Sequence, residues 1–193
     1  MTRIDIVESE EAPDETTARL LEEAREGWYG DAAFFGAMAH RPVLFERVVS
    51  LFEAFARERG IEASTLELVR LRVAATNHCA YCATVRTQSV AAEVAPKESA
   101  VLGERLDVES LTRRERLAVR LADGVSDAPH DITDELVDDL REEFGDEGFV
   151  ELLLFASLEV GLDRFCIALE LDTTEESAYP TGLDYPFRPG DGE

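Results

Sequence analysis

The chain has 193 residues, 45% of them apolar, which is enough for one domain built around a real core. Its 42 acids outnumber its 19 bases, giving a formal net charge of −23, and every base except Lys97 is an arginine. That balance excludes nucleic acid and anionic membranes as partners, because both call for a basic face. The acids are spread along the chain, so they read as a surface adapted to high salt, where repulsion is screened, and by analogy as the mark of a halophilic host.

Residues 1–13 are acidic and are expected to be loose. They hold no apolar segment of the kind that opens a signal peptide, so a cytoplasmic location is expected. A helix is predicted from about Asp14 to Trp28, with Leu20, Leu21 and Ala24 on one face. Trp28, Tyr29, Phe34 and Phe35 form an aromatic group around Gly30, suited to core or subunit packing. The next helix starts at Pro42 and stops at Gly60, with Leu44, Val48, Leu51, Phe52 and Phe55 at helical spacing.

The stretch STLE has the form of a capping box, with Ser64 as N-cap and Glu67 at the third helical position. The helix that follows is apolar nearly all round, so it is predicted to be central. A further helix should carry Cys79 and Cys82 and end near Pro96. Then come LTRRERLAVRLADGVS and ITDELVDDLREEFG, two amphipathic helices that each end near glycine. The last helix should run from about Asp146 to Leu171. Glu151, Glu159, Asp163 and Arg164 interrupt its apolar run and exclude a membrane span. Cys166 stands alone there and reads as core. Residues 172–193 read as an extended tail. Nothing alternates with period two for long, so the expectation is a single all-α domain over 14–171 with about seven or eight helices.

The chemistry is concentrated in NHCAYCATVR, residues 77–86. Cys79 and Cys82 admit three readings: a dithiol redox pair, part of a zinc site, or two inert buried thiols. Three cysteines cannot make a disulfide framework, and in a reducing compartment a CxxC is more often catalytic or metal-binding than structural. Zinc needs four ligands, or three and a water, and no second CxxC or HxxxH pattern supplies them, so no metal is expected. A helix N-terminus favours a thiolate, and two cysteines at this spacing let one attack while the other resolves the mixed disulfide.

Glu67 lies twelve residues before Cys79, about 18 Å away on a straight helix. If the chain turns near Asn77–His78, Glu67 and Arg86 come to similar levels, and Cys82 and Arg86 share a face at i,i+4. A line Glu67–Arg86–Cys82 between two antiparallel helices is then permitted. The plainer alternatives are a capping role for Glu67 and a solvated ion pair for Arg86. His78 and Tyr81 are candidate pocket residues; the plainer alternatives are a capping or exposed side chain for His78 and packing on a neighbour for Tyr81.

RPVLFERVVSLFEAF, LELVRLRVAATNHCAYC and LTRRERLAVRLAD together resemble the carboxymuconolactone decarboxylase and alkylhydroperoxidase D (AhpD) superfamily over about residues 40–170. The most specific part is Glu67, eleven intervening residues, then Cys79-x-x-Cys82. The resemblance implies an all-helical, AhpD-like fold that assembles as a trimer, hexamer or dimer. It implies a dithiol that reduces peroxides or exchanges with a partner disulfide, with no cofactor, and with a small protein or low-molecular-weight thiol as electron donor. In the peroxidase branch, a glutamate and a histidine one turn after the second cysteine relay protons. Glu67 matches the glutamate, but the histidine position holds Arg86, which cannot act as a base near neutral pH. Arg86 is therefore expected to hold the Cys82 thiolate by charge, with Glu67 orienting Arg86 or a water. Two alternatives stay open: a decarboxylase-type lyase, which needs no CxxC, and a non-enzymatic redox-sensing homo-oligomer.

Overall fold

Helix α1 (Glu15–Gly27) starts where Asp14 accepts the Thr17 N–H at 2.8 Å, and it turns Leu20, Leu21 and Ala24 into the core. The computed structural model describes residues 2–30, 33–57, 60–103 and 106–171; the tail expected at 172–193 lies outside them. After α1 come α2 (Ala33–Met38), α3 (Pro42–Arg57), α4 (Ala63–Thr76), α5 (Ala80–Thr84), α6 (Ala91–Val94), α7 (Glu98–Leu102), α8 (Arg113–Asp127) and α9 (Asp134–Leu169). No strand occurs among the described residues, and none of their helices is long and apolar enough to cross a membrane.

Helix α4 is the axis of the domain. Every residue from Ser64 to Ala75 is buried, and α5, α6, α7, α8 and α9 all pack on it. Its all-round apolar pattern anticipates that position. Its polar exceptions are met inside: Arg72 Nε donates to Asp123 at 2.7 Å and Arg72 Nη1 to the Gly103 carbonyl at 2.8 Å. The capping box expected at Ser64 does not form. Glu62 is the N-cap, and the Glu67 carboxylate is engaged elsewhere. A true capping box opens α8 instead, where Thr112 and Glu115 bond reciprocally.

In α9, Gly145 adopts φ 72°, ψ 173° and breaks the regular helix where a glycine stop is predicted, so the two expected helices run on as one kinked element. On α3 the buried stripe is Phe45, Val49, Phe52 and Phe55, whereas Leu44 and Leu51 from the predicted face are 58% and 40% exposed. Both stripes are apolar, so spacing alone does not choose between them. The aromatic group is internal to the domain: Tyr29, Phe34 and Phe35 are buried, with their rings in tilted or edge-on contact.

The N-terminal segment makes contacts with the rest of the domain. Ile4, Ile6 and Val7 pack on the core, and the Arg3 N–H donates to the Leu169 carbonyl at 2.9 Å. Arg3 Nη1 adds a bond to the Ala168 carbonyl at 2.9 Å, and Nη2 one to Glu170 at 2.6 Å. A cation thereby meets the orphan carbonyls at the C-terminal end of α9.

Candidate functional site

The CxxC sits on a chain reversal. Asn77 caps α4, His78 takes a left-handed conformation at φ 55°, and Cys79 becomes the N-cap of α5. The expected fold-back near Asn77–His78 is therefore present. Cys79 Sγ accepts the Cys82 N–H at 3.3 Å, and the two cysteines form a disulfide with a Cα–Cα distance of 5.3 Å. Both are buried, Cys82 the less completely at 7% exposure against 1%. His78 is exposed at the bend and lines neither cavity described below. Tyr81 is buried, and its hydroxyl accepts the Phe34 N–H at 3.1 Å.

The line Glu67–Arg86–Cys82 is not what the structure contains. Helix α5 ends at Thr84, and Val85 is extended at ψ 153°, so Arg86 is off the helix and the i,i+4 relation to Cys82 does not apply. Arg86 instead donates to Glu98 from Nε at 2.7 Å and from Nη2 at 3.0 Å. Its Nη1 donates to the Ala83 and Val85 carbonyls.

Glu67 pairs with Arg70, one turn on in α4. Arg70 Nη2 and Nε donate to its two oxygens at 2.6 and 2.9 Å, and Thr87 Oγ1 adds a bond at 2.7 Å. Burial pushes the Glu67 carboxyl up, but the Arg70 charge and the bonds from Arg70 and Thr87 hold it below its ordinary value. Arg70 also donates to the Cys82 carbonyl at 2.6 Å and the Val85 carbonyl at 2.7 Å. The guanidinium thus grips the CxxC helix at both ends of its last turn, and it lies over the Tyr29 ring, 5.2 Å from the centroid. The cation that meets Cys82 is Arg70, not Arg86.

The second contribution missed by sequence reasoning comes from α9. Glu159, Asp163 and Cys166 are buried at i, i+4 and i+7, one face of the helix turned to the cysteines. Burial lifts the Glu159 carboxyl to about 8, against the pull of Arg70 and with help from Asp163 and Glu67. Burial likewise lifts Asp163 to about 7, opposed by the bond that Asn77 Nδ2 donates at 3.1 Å. The Cys166 thiol is pushed well up by burial and by both carboxyls. Three acidic or thiol groups interrupting an apolar run at helical spacing are the signal that could have found this face.

A cavity of about 280 Å³ opens beside the site. Trp28, Phe52, Phe55, Leu66 and Phe155 make its apolar walls, and Glu67, Arg70, Thr87 and Glu159 its polar part. A much smaller space of about 10 Å³ touches Cys82, Tyr81, Asp163 and Cys166. Tyr29, Arg70 and Glu159 line both, so they stand between the cavity and the disulfide. Among the described residues, only Cys79, Cys82 and Cys166 bring three potential metal-ligating atoms together, and two of those sulfurs are bonded to each other here.

Comparison with known proteins gives this geometry a setting. Residues 42–123, from the start of α3 to near the end of α8, match the carboxymuconolactone decarboxylase family. An uncharacterised protein of Mycobacterium tuberculosis is 31% identical over 138 residues, 68% of this chain and 48% of that protein, so the chain spans about half the relative's length. The alkylhydroperoxidase AhpD core structure of a peroxidase-related protein from Ralstonia eutropha JMP134 superposes with TM-score 0.69 at 19% identity, covering 91% of this chain and 93% of that one. The debrominase Bmp8, solved with 2,3,4-tribromopyrrole, superposes with TM-score 0.72 at 17% identity over 91% and 93% of the two chains. At these identities the structures speak to the fold alone.

Proposed function

We propose that this chain, whose residues 42–123 match the carboxymuconolactone decarboxylase family and whose fold is AhpD-like, is a dithiol oxidoreductase that reduces a peroxide through Cys82 and Cys79. The observation that carries this reading is a CxxC disulfide separated from an open apolar cavity by only a charged partition. In the reduced state the Cys82 thiolate attacks the peroxide oxygen. The O–O bond breaks, Cys82 becomes a sulfenic acid, and the departing oxygen leaves as water or an alcohol once protonated. Cys79 then attacks the Cys82 sulfur and expels water, which regenerates the disulfide. An external thiol or a small dithiol protein closes the cycle.

Arg70 acts as a positioning residue: it fixes the backbone of Cys82 through the carbonyl, and its charge favours a thiolate nearby. Glu159 supplies the proton that the missing histidine would have carried. Burial favours its protonated form, and it lines the cavity and faces Arg70, so it can protonate the departing oxygen.

The burial of both cysteines and the arginine at position 86 favour a second reading, a redox sensor that oxidises once and stops. The test is turnover of hydrogen peroxide and an organic hydroperoxide with a dithiol reductant, in high salt. The enzyme reading expects many turnovers, their loss in Cys82→Ser, and a fall of roughly 10²–10⁴-fold in Glu159→Gln, the usual worth of general acid catalysis. One disulfide per chain with no further consumption of peroxide gives the sensor instead.

A further inference from the structure

Cys166 has no part in that cycle, yet its sulfur lies within 4.8 Å of those of both Cys79 and Cys82. The sequence does not bring this about locally: Cys166 comes from the far end of α9, the other two from the reversal before α5 and its first turn. Cys82 and Cys166 line the same small space, with Tyr81 and Asp163 beside them. Side-chain rotation at one or two of the cysteines is the movement that would close a sulfur–sulfur gap of this size.

We propose that Cys166 is a second resolving thiol, able to capture oxidised Cys82 as a Cys82–Cys166 disulfide. The step rests on the dithiol reading above. Peroxide first converts the Cys82 thiolate to a sulfenic acid. The Cys166 sulfur attacks the Cys82 sulfur, the S–S bond forms, and the S–O bond breaks. The hydroxide departs with the proton of the Cys166 thiol as water, so no further oxidant or reductant is consumed. Cys79 can then attack Cys82 and release Cys166, an exchange with no net redox change that ends in the disulfide described here.

The apolar and acidic surroundings of Cys166 keep it a thiol while the site is idle. Its use is to shorten the life of the sulfenic acid whenever Cys79 is out of reach, which protects Cys82 from irreversible oxidation to the sulfinic acid.

The experiment takes Cys79→Ser, with Cys82→Ser as the companion should the first not fold. Each is oxidised by diamide, which needs no peroxidase activity, and separately by hydrogen peroxide, then alkylated in denaturant and mapped by peptide mass. The expected products are Cys82–Cys166 in the first variant with either oxidant, and Cys79–Cys166 in the second with diamide alone. With peroxide, Cys79→Ser/Cys166→Ala should accumulate sulfinic acid at Cys82 where Cys79→Ser does not. If Cys166 stays free and alkylatable under both oxidants while the wild type forms Cys79–Cys82, the resolving role is overturned and the dithiol reading stands. Cross-linking by diamide but never by peroxide, in variants and wild type alike, overturns the peroxide chemistry itself and the sulfenic step with it.

Discussion

Two glutamate–arginine pairs flank the cysteines, and they share little beyond composition. Glu67–Arg70 lies wholly inside, with side chains 2–3% exposed, and both partners use further bonds on the CxxC helix and on Thr87. Arg86–Glu98 lies at the edge, with side chains 15% and 21% exposed. Both arginines reach the Val85 carbonyl, so the extended segment leaving α5 is held by both. Only the inner pair has a low-dielectric setting in which a charge can bias a thiol, and only there does losing one partner strand the other. Proximity to the motif in sequence is thus a poor guide to which arginine matters.

Breaking the inner pair should have the largest effect. Arg70→Met leaves the buried Glu67 carboxylate without its counter-charge and the Cys82 carbonyl without that donor, and a loss of about 3–5 kcal/mol is expected in chemical denaturation. Glu67→Gln/Arg70→Met should recover part of it. A double variant no more stable than the single would show that the stranded Glu67 charge is not the source of the loss.

The pH response sharpens the comparison, because Glu159 faces the inner arginine. The charged or titratable groups around it are Arg70 and Glu67 on α4, Asp163 and Cys166 on its own helix, and Tyr29. Glu159 and Asp163 have folded values of about 8 and about 7, above their unfolded ones near 4. The folded state therefore binds more protons than the unfolded state between those limits, and stability falls as pH rises from about 4 to about 8. Glu159→Gln should flatten that fall, as read from melting temperatures at pH 5 and pH 9. An unchanged slope would sink the assignment. The smallest effect is expected at the edge pair. Arg86→Ala should cost about 1–2 kcal/mol, less than the inner pair because this one is only partly buried, and should leave the thiol titration of Cys82 in place. A marked shift of that titration would return to Arg86 the role that the sequence suggested.

Much of the fold was legible because its signals are local. The stop at Gly145 and the all-round apolar α4 each follow from a few neighbouring residues, whereas the reversal at Asn77–His78 enters a sequence reading only as a condition. The site was only half legible. STLE and LTRRE carry the same Ser/Thr-x-x-Glu spacing, and only tertiary demand on the Glu67 carboxylate tells the true cap from the false one. Arg86 was misplaced because a five-residue helix was extrapolated past its end at Thr84. Cys166 lies 84 residues beyond Cys82, and no periodicity connects them; only the packing of α9 on α5 does.

The single lysine has a practical consequence. Lys97 Nζ donates to Glu115 at 2.5 Å, the same carboxylate that closes the capping box on α8, and Lys97 remains partly exposed. Apart from the chain terminus, an amine-directed reagent has one target on the molecule. A fluorophore coupled there would report from a defined point at the mouth of α8 without touching a thiol, so the redox state of the cysteines could be followed with the cysteines themselves unmodified.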